Sequence, residues 1–153
     1  MPESLSFEEY QQKCLRTDMS RELPEGQRVM YHTMKVAEEV DEVIVAVQEG
    51  DWDKVPEERG DVLWHLACLA DALNIPIRSV AEPLPYQLSG QTLNGAVMAL
   101  TSVVAKHYGQ RKPLFLDDVR RHMSCVWEWA CGGDYATLSA NNIAKLRVRY
   151  PDL

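Results

Sequence analysis

The amino-acid sequence predicts an all-α fold, a helical bundle with antiparallel core helices. Three observations carry this. Apolar residues recur with the helical period in almost every patterned segment. Gly, Pro and capping residues fall where helices of ordinary length would start and stop. No segment shows a convincing strand pattern, repeat or low-complexity run.

Ser6-Phe7-Glu8-Glu9 reads as a capping box and predicts a first helix from Phe7 to Asp18. Pro24 and Gly26 mark a loop. A long helix is expected from Gln27 to Gln48, with Val36, Val40, Val43 and Val47 as its apolar stripe and Gly50 as its stop. The short turn Gly50-Asp51-Trp52-Asp53 leads to a third helix with Pro56 in its first turn, where a missing N–H costs nothing. That helix runs to Leu73. It is apolar around much of its circumference, through Val62, Leu63, Leu66, Leu69, Ala70 and Leu73, which predicts a central position.

Pro76, Pro83 and Pro85 interrupt the next stretch of chain and leave room only for a short helix around Ser79. A fourth major helix is expected from Thr92 to Tyr108, ending at Gly109, and a fifth from Asp117 to Cys131, stopped by Gly132-Gly133. The last runs from Ser139 to Arg149, before Pro151. The second, third and fourth major helices should build the core. With 153 residues, one domain spanning 1–153 is expected.

Composition narrows the function classes. Hydrophobic residues at 46% and charged residues at 25% are ordinary for a globular chain and exclude wholesale disorder. A net charge of -7, with no basic stripe, argues against a nucleic-acid partner. No apolar stretch is long enough to span a bilayer and no N-terminal leader pattern occurs, so no membrane partner is expected. Cys14, Cys68, Cys125 and Cys131 form no CxxC pair, and the cytoplasm is the simplest compartment.

The chemistry concentrates in two acidic clusters. One helix carries Glu38, Glu39 and Glu42; the next carries Glu58 and Asp61. Residues three apart on a helix lie about 60° apart around it, so Glu39 and Glu42 project together, as do Glu58 and Asp61. The short turn between the helices forces antiparallel packing, which puts four carboxylates around one small volume. Unpaired, they would repel and raise one another's pKa values. Hard divalent cations with a preference for oxygen, Mg²⁺ or Mn²⁺, relieve the conflict and then attract phosphate. Part of this pattern also fits a solvated helix face, with Lys35 pairing Glu38 or Glu39 and Arg59 serving the side of Glu58. Gly60, costly inside a helix, points to a close backbone approach beside the site.

The paired motif Glu38-Glu39-x-x-Glu42 with Glu58-x-x-Asp61 resembles that of the MazG-like all-α nucleoside triphosphate pyrophosphohydrolases. Residues 58–67 and 142–151 are similar in wording too, and Tyr10-Gln11 with Arg16-Thr17 looks like the opening helix of small, phage-type members. The resemblance implies Mg²⁺ or Mn²⁺ dependence, homodimers or homotetramers, and cleavage of a nucleoside triphosphate between its α- and β-phosphates. It implies Glu39, Glu42, Glu58 and Asp61 as metal ligands, with Glu38 as a further ligand or the group orienting the attacking water. Phage-type relatives biased to guanine deoxynucleotides make dGTP or GTP the first expected substrate.

Asn142, Lys145 and Arg149 lie within about 60° of one another on the last helix. An amide, an ammonium and a guanidinium on one stripe suit a polyphosphate. An ordinary basic helix end, favoured by the dipole, explains the stripe equally well. Lys106, His107, Arg111 and Lys112 read as solvated helix-end residues. His65, four residues after Asp61 and on the same face, reads as a satisfied core histidine; a hydrogen-bond partner behind the carboxylates and a contact to the nucleotide base are the alternatives. Trp127 reads as core and Trp129 as a candidate oligomer contact.

Other readings compete. The same bundle would serve a phosphohydrolase acting on phosphoribosyl-ATP or a nucleoside diphosphate. A non-catalytic helical interaction module is a further alternative. A di-iron bundle needs Glu-x-x-His on two helices, and no Glu here has His three residues later.

Overall fold

The computed structural model describes residues 4–82 and 91–153. Among these residues it holds seven α-helices and one 3-10 helix, with no strand. Helix α1 spans Phe7–Thr17 and opens on the expected capping box: Ser6 Oγ accepts from the Glu9 N–H, and the Glu9 carboxylate accepts from the Ser6 N–H. Asp18 lies just outside α1 and caps the 3-10 helix Met19–Glu22, an element the sequence pattern did not announce.

Helix α2 spans Glu25–Glu49. Gly26 is therefore a helical residue and not a loop marker. A Cβ there would stand 2.9 Å from the Tyr108 ring, so this glycine serves helix packing. Val36, Val40 and Val43 are buried as expected, but Val47 is 44% exposed and Ala46 takes its place on the inner face. Gly50 ends α2 in the left-handed conformation.

Helix α3 spans Lys54–Ala72 and contacts α1 (Phe7–Thr17), α2, α4 (Ile77–Ala81), α6 (Leu116–Cys131) and α7 (Tyr135–Arg149). Its Val62, Leu63, Leu66, Ala67, Cys68, Leu69 and Ala70 are all fully buried, so the central position predicted from its apolar circumference holds. The short helix around Ser79 is α4. The reading of Pro83 and Pro85 as interruptions lies outside the described residues.

Helix α5 spans Leu93–Gln110, with Thr92 as its side-chain cap. It runs past Gly109 and ends on Arg111 in the left-handed region instead. Helix α6 stops at Gly132 as expected. Helix α7 begins at Tyr135, four residues before the predicted start at Ser139. The core is also wider than three helices. Tyr10 and Cys14 of α1 and Val119, Met123, Val126 and Trp127 of α6 are buried in the same cluster. Arg59 does not serve Glu58; it donates to the carbonyls of Ala130 and Cys131 and so caps the end of α6. Among the described residues no helix is long and apolar enough to cross a membrane.

Candidate active site

Helices α2 and α3 pack as a hairpin, and the turn between them sets their acidic faces against each other. Glu39, Glu58 and Asp61 each place one carboxylate oxygen within 4.8 Å of the others. Glu39 and Glu58 are buried, and Asp61 is half-buried. Glu42 flanks the group: partial burial and then the charge of Glu58 raise its pKa. Glu38 stays at the surface with its side chain 55% exposed.

Three lysines enter the same cluster, each bridging two carboxylates. Lys35 lies 2.9 Å from Glu38 and 3.2 Å from Glu39. Lys54 lies 3.2 Å from Glu58 and 3.9 Å from Glu42. Lys145 lies 2.6 Å from Asp61 and 3.0 Å from Glu57. Only the Lys35 pairing was visible as an alternative in the sequence; Lys54 was missed, although its four-residue spacing from Glu58 was a signal. Burial, with the charges of Asp61 and Glu42, pushes Glu39 up to about 7 against the opposing effect of Lys35. Burial also raises Asp61, against Lys145.

Helix α7 reaches the cluster because Gly60 lets it. A Cβ at Gly60 would stand 3.2 Å from Asn142 Cβ and 3.6 Å from the Leu138 carbonyl. The close approach expected at this glycine is thus an approach to α7. Asn142 Nδ2 donates to Asp61 Oδ1 at 3.0 Å, and the Tyr10 hydroxyl donates to Asn142 Oδ1 at 3.0 Å. Two members of the α7 stripe therefore hold Asp61 directly. The third, Arg149, is exposed and lines the neighbouring cavity. Lys106, Arg111 and Lys112 are exposed, and none of them lines the cavity beside the carboxylates.

That cavity, of about 590 Å³, opens beside the carboxylates. Lys35, Glu39, Asp61, Lys145 and Arg149 line its polar side; Tyr31, Trp64, Leu146 and Tyr150 give it an apolar and aromatic side. The Trp64 ring is fixed by a hydrogen bond from Nε1 to Thr17 Oγ1 at 3.0 Å and by edge contact with His65. Sequence reading missed Tyr31, Trp64 and Tyr150, because no local pattern separates an aromatic lining a cavity from one filling a core. His65 is buried, as expected, but its ring also borders this cavity. Burial, then the nearby His32 and Lys35, hold it down at about 3.

The donor set suits a hard divalent cation. Glu39, Glu58 and Asp61 offer oxygen only, with no nitrogen or sulfur ligand in the group. The lysines do not neutralise it: six carboxylates meet three ammonium groups, which leaves negative charge in excess. A cavity that joins this excess to Lys145, Arg149 and aromatic rings has the size and polarity of a nucleotide site.

Comparison with known proteins agrees with this geometry. Residues 29–84 match the MazG nucleotide pyrophosphohydrolase domain, a segment that carries all five acidic residues of the paired motif. Neither a curated protein nor a solved structure shows a significant match to the chain.

Proposed function

We propose that this chain, whose residues 29–84 match the MazG nucleotide pyrophosphohydrolase domain, hydrolyses phosphoric anhydride bonds and converts nucleoside or deoxynucleoside triphosphates to the monophosphate and pyrophosphate, with dGTP or GTP the first substrates to test. The observation that carries the proposal is the convergence of Glu39, Glu58 and Asp61 beside a cavity walled by Lys145, Arg149 and aromatic rings.

In this reading Glu39, Glu42, Glu58 and Asp61 hold Mg²⁺ or Mn²⁺, and Glu38 supports them through Lys35, which it shares with Glu39. A bound divalent ion lowers the pKa of a water and offsets charge on the polyphosphate. The chain's own residues do the positioning, which carries most of phosphoryl-transfer catalysis. Asn142 and Lys145 fix the direction of the Asp61 carboxylate. Lys145 and Arg149 take the phosphate oxygens, Lys as a point charge and Arg as a fork. Trp64 and Tyr31 receive the nucleoside against the apolar side of the cavity.

The domain spans residues 1–153 and assembles as a homodimer or a dimer of dimers. Such closed assemblies are the commonest form of soluble oligomers. Light scattering at micromolar concentration tests the assembly.

The activity is tested by a panel of the common ribo- and deoxyribonucleoside triphosphates, with a nucleoside diphosphate and phosphoribosyl-ATP beside them. Pyrophosphate release from at least one triphosphate, lost in EDTA, is the expected result. No release from any of them returns the chain to a helical interaction module.

A further inference from the structure

A line of buried polar groups leads away from the carboxylates into the hairpin. Asp18, between α1 and the 3-10 helix, accepts at Oδ1 from the Ser20 N–H and hydroxyl, and at Oδ2 from Arg28 Nε and Nη2. His32 of α2 is fully buried. Its Nε2 lies 2.8 Å from Ser20 Oγ and 3.2 Å from Asp18 Oδ2. Its Nδ1 lies 3.0 Å from Nδ1 of His65 on α3. The other ring nitrogen of His65, Nε2, lies 3.7 Å from Glu39 Oε1. At that distance the two groups are beyond hydrogen-bond length, and the His65 ring acts on the carboxylate as a nearby dipole.

An ionised carboxylate only accepts, so the Ser20 hydroxyl donates to Asp18. Between the two Nδ1 atoms one ring donates and the other accepts. When His32 donates, a neutral His65 carries its hydrogen at Nε2, facing the Glu39 oxygen. When His65 donates, its Nε2 turns a lone pair there instead. A carboxylate that ligates a cation accepts hydrogen bonds and gives none, so the first arrangement fits Glu39 as a ligand.

Asp18, His32 and Cys68 also lie within 4.8 Å of one another. They do not make a second cation site, because Arg28 and Ser20 already occupy the Asp18 oxygens. The group ends instead on Glu39, in the cavity wall.

We propose that Asp18, His32 and His65 form a positioning relay that holds the Glu39 carboxylate in the cluster, with the N–H at His65 Nε2 facing it. The proposal rests on the reading of Glu39 as a metal ligand and adds residues that act through it. Groups that orient ligating side chains are worth roughly 10–100-fold in metal affinity, which sets the size of the expected effect.

The test is a Mn²⁺ titration of the nucleotide-free protein, followed by the electron paramagnetic resonance of free Mn²⁺. His65→Leu fills the space without a donor and should weaken Mn²⁺ binding by about tenfold or more. His65→Gln keeps an N–H at similar reach and should restore most of the affinity. His32→Gln, which leaves His65 in place but breaks its support, should fall between. Wild-type affinity in His65→Leu overturns the relay, and so does a His65→Gln variant as weak as His65→Leu. If His65→Leu fails to fold, His65→Asn decides: its amide is too short to reach Glu39, and affinity equal to that of His65→Gln overturns the relay. Glu58→Gln is the control for the site. If Glu58→Gln leaves Mn²⁺ affinity unchanged, the metal reading falls and the relay with it. A loss there beside an unaffected His65→Leu sinks the relay alone.

Discussion

Lys145 Nζ of α7 lies 2.6 Å from Asp61 Oδ2 of α3, although the two residues are 84 positions apart in the chain. Asn142, one turn earlier on α7, donates to the other oxygen of the same carboxylate. The last helix therefore sets the direction of a proposed metal ligand as well as bringing positive charge to the cavity. Lys145 pairs with Asp61, and in the proposed function it also meets the phosphates of the substrate.

Lys145→Ala should separate those tasks. Losing a charge-assisted hydrogen bond to phosphate should weaken nucleotide binding by about 1.5–3 kcal/mol. Mn²⁺ binding to the free protein should hold or tighten, because Asp61 loses a competitor. Paired titrations, Mn²⁺ alone and then nucleotide with Mn²⁺, check both. Unchanged nucleotide affinity and kcat would make α7 an ordinary basic helix end.

Gly60→Ala should damage the site through packing. The added Cβ would stand 3.2 Å from Asn142 Cβ, which is fixed to the α7 backbone, so α7 must give way by a few tenths of an ångström. Overpacking costs about 1–3 kcal/mol, and the helix propensity of Ala returns about 1 kcal/mol. A net loss of up to about 2 kcal/mol is expected in urea unfolding. Turnover should fall further than stability, because Asn142 carries the bond to Asp61. A variant as active as the parent would show that the α3–α7 approach is not needed.

Much of this was legible in the sequence, and the reasons are local. The capping box at Ser6 and the apolar circumference of α3 depend on neighbours within a turn or two, and both hold. Glu39, Glu58 and Asp61 were paired by helical spacing and one short turn, so their meeting was also predictable. What failed depends on distant partners. Gly26 looked like a loop residue because nothing near it in the chain announces the Tyr108 ring. Gly109 looked like a stop, yet α5 ends on Arg111. The contact of Tyr10 with Asn142 joins residues 132 positions apart and has no local signature.

The pKa of Glu39 gives a pH test. Its folded value, about 7, lies above the ordinary 4.5, so the folded state holds the proton more tightly. That stabilisation is present below about pH 4.5 and is lost as pH rises toward 7. The metal-free protein should lose stability across this window, and Glu39→Gln should flatten the loss. Mn²⁺ affinity should rise over the same window, because the ligand must be ionised. Thermal melts in EDTA across pH check the first; a flat profile in the parent would contradict it.

Asp18 gives the opposite slope. Burial works to raise its pKa, but hydrogen bonds from His32, Ser20 and Arg28 outweigh burial and hold it low. Its stabilisation is present above the unfolded value near 4 and is lost as pH falls toward the folded value. Asp18→Asn should remove this acid-side loss and cost about 3–5 kcal/mol at neutral pH, because Arg28 keeps only Asp71 and buried His32 loses its anion. Urea unfolding at neutral and acid pH measures both. A cost below about 1 kcal/mol would mean that water takes over these groups.

If the α2–α3 carboxylates direct hydrolysis of a nucleoside triphosphate between its first and second phosphates, as proposed, the products will report it. Phosphorus NMR of the products from the best triphosphate in the panel, with Mg²⁺, should be run for the parent and for folded Glu58→Gln and Asp61→Asn. The parent should yield monophosphate and pyrophosphate in equal amounts, and both variants should yield none. Diphosphate with orthophosphate, or products from both variants at the parent rate, would contradict the claim.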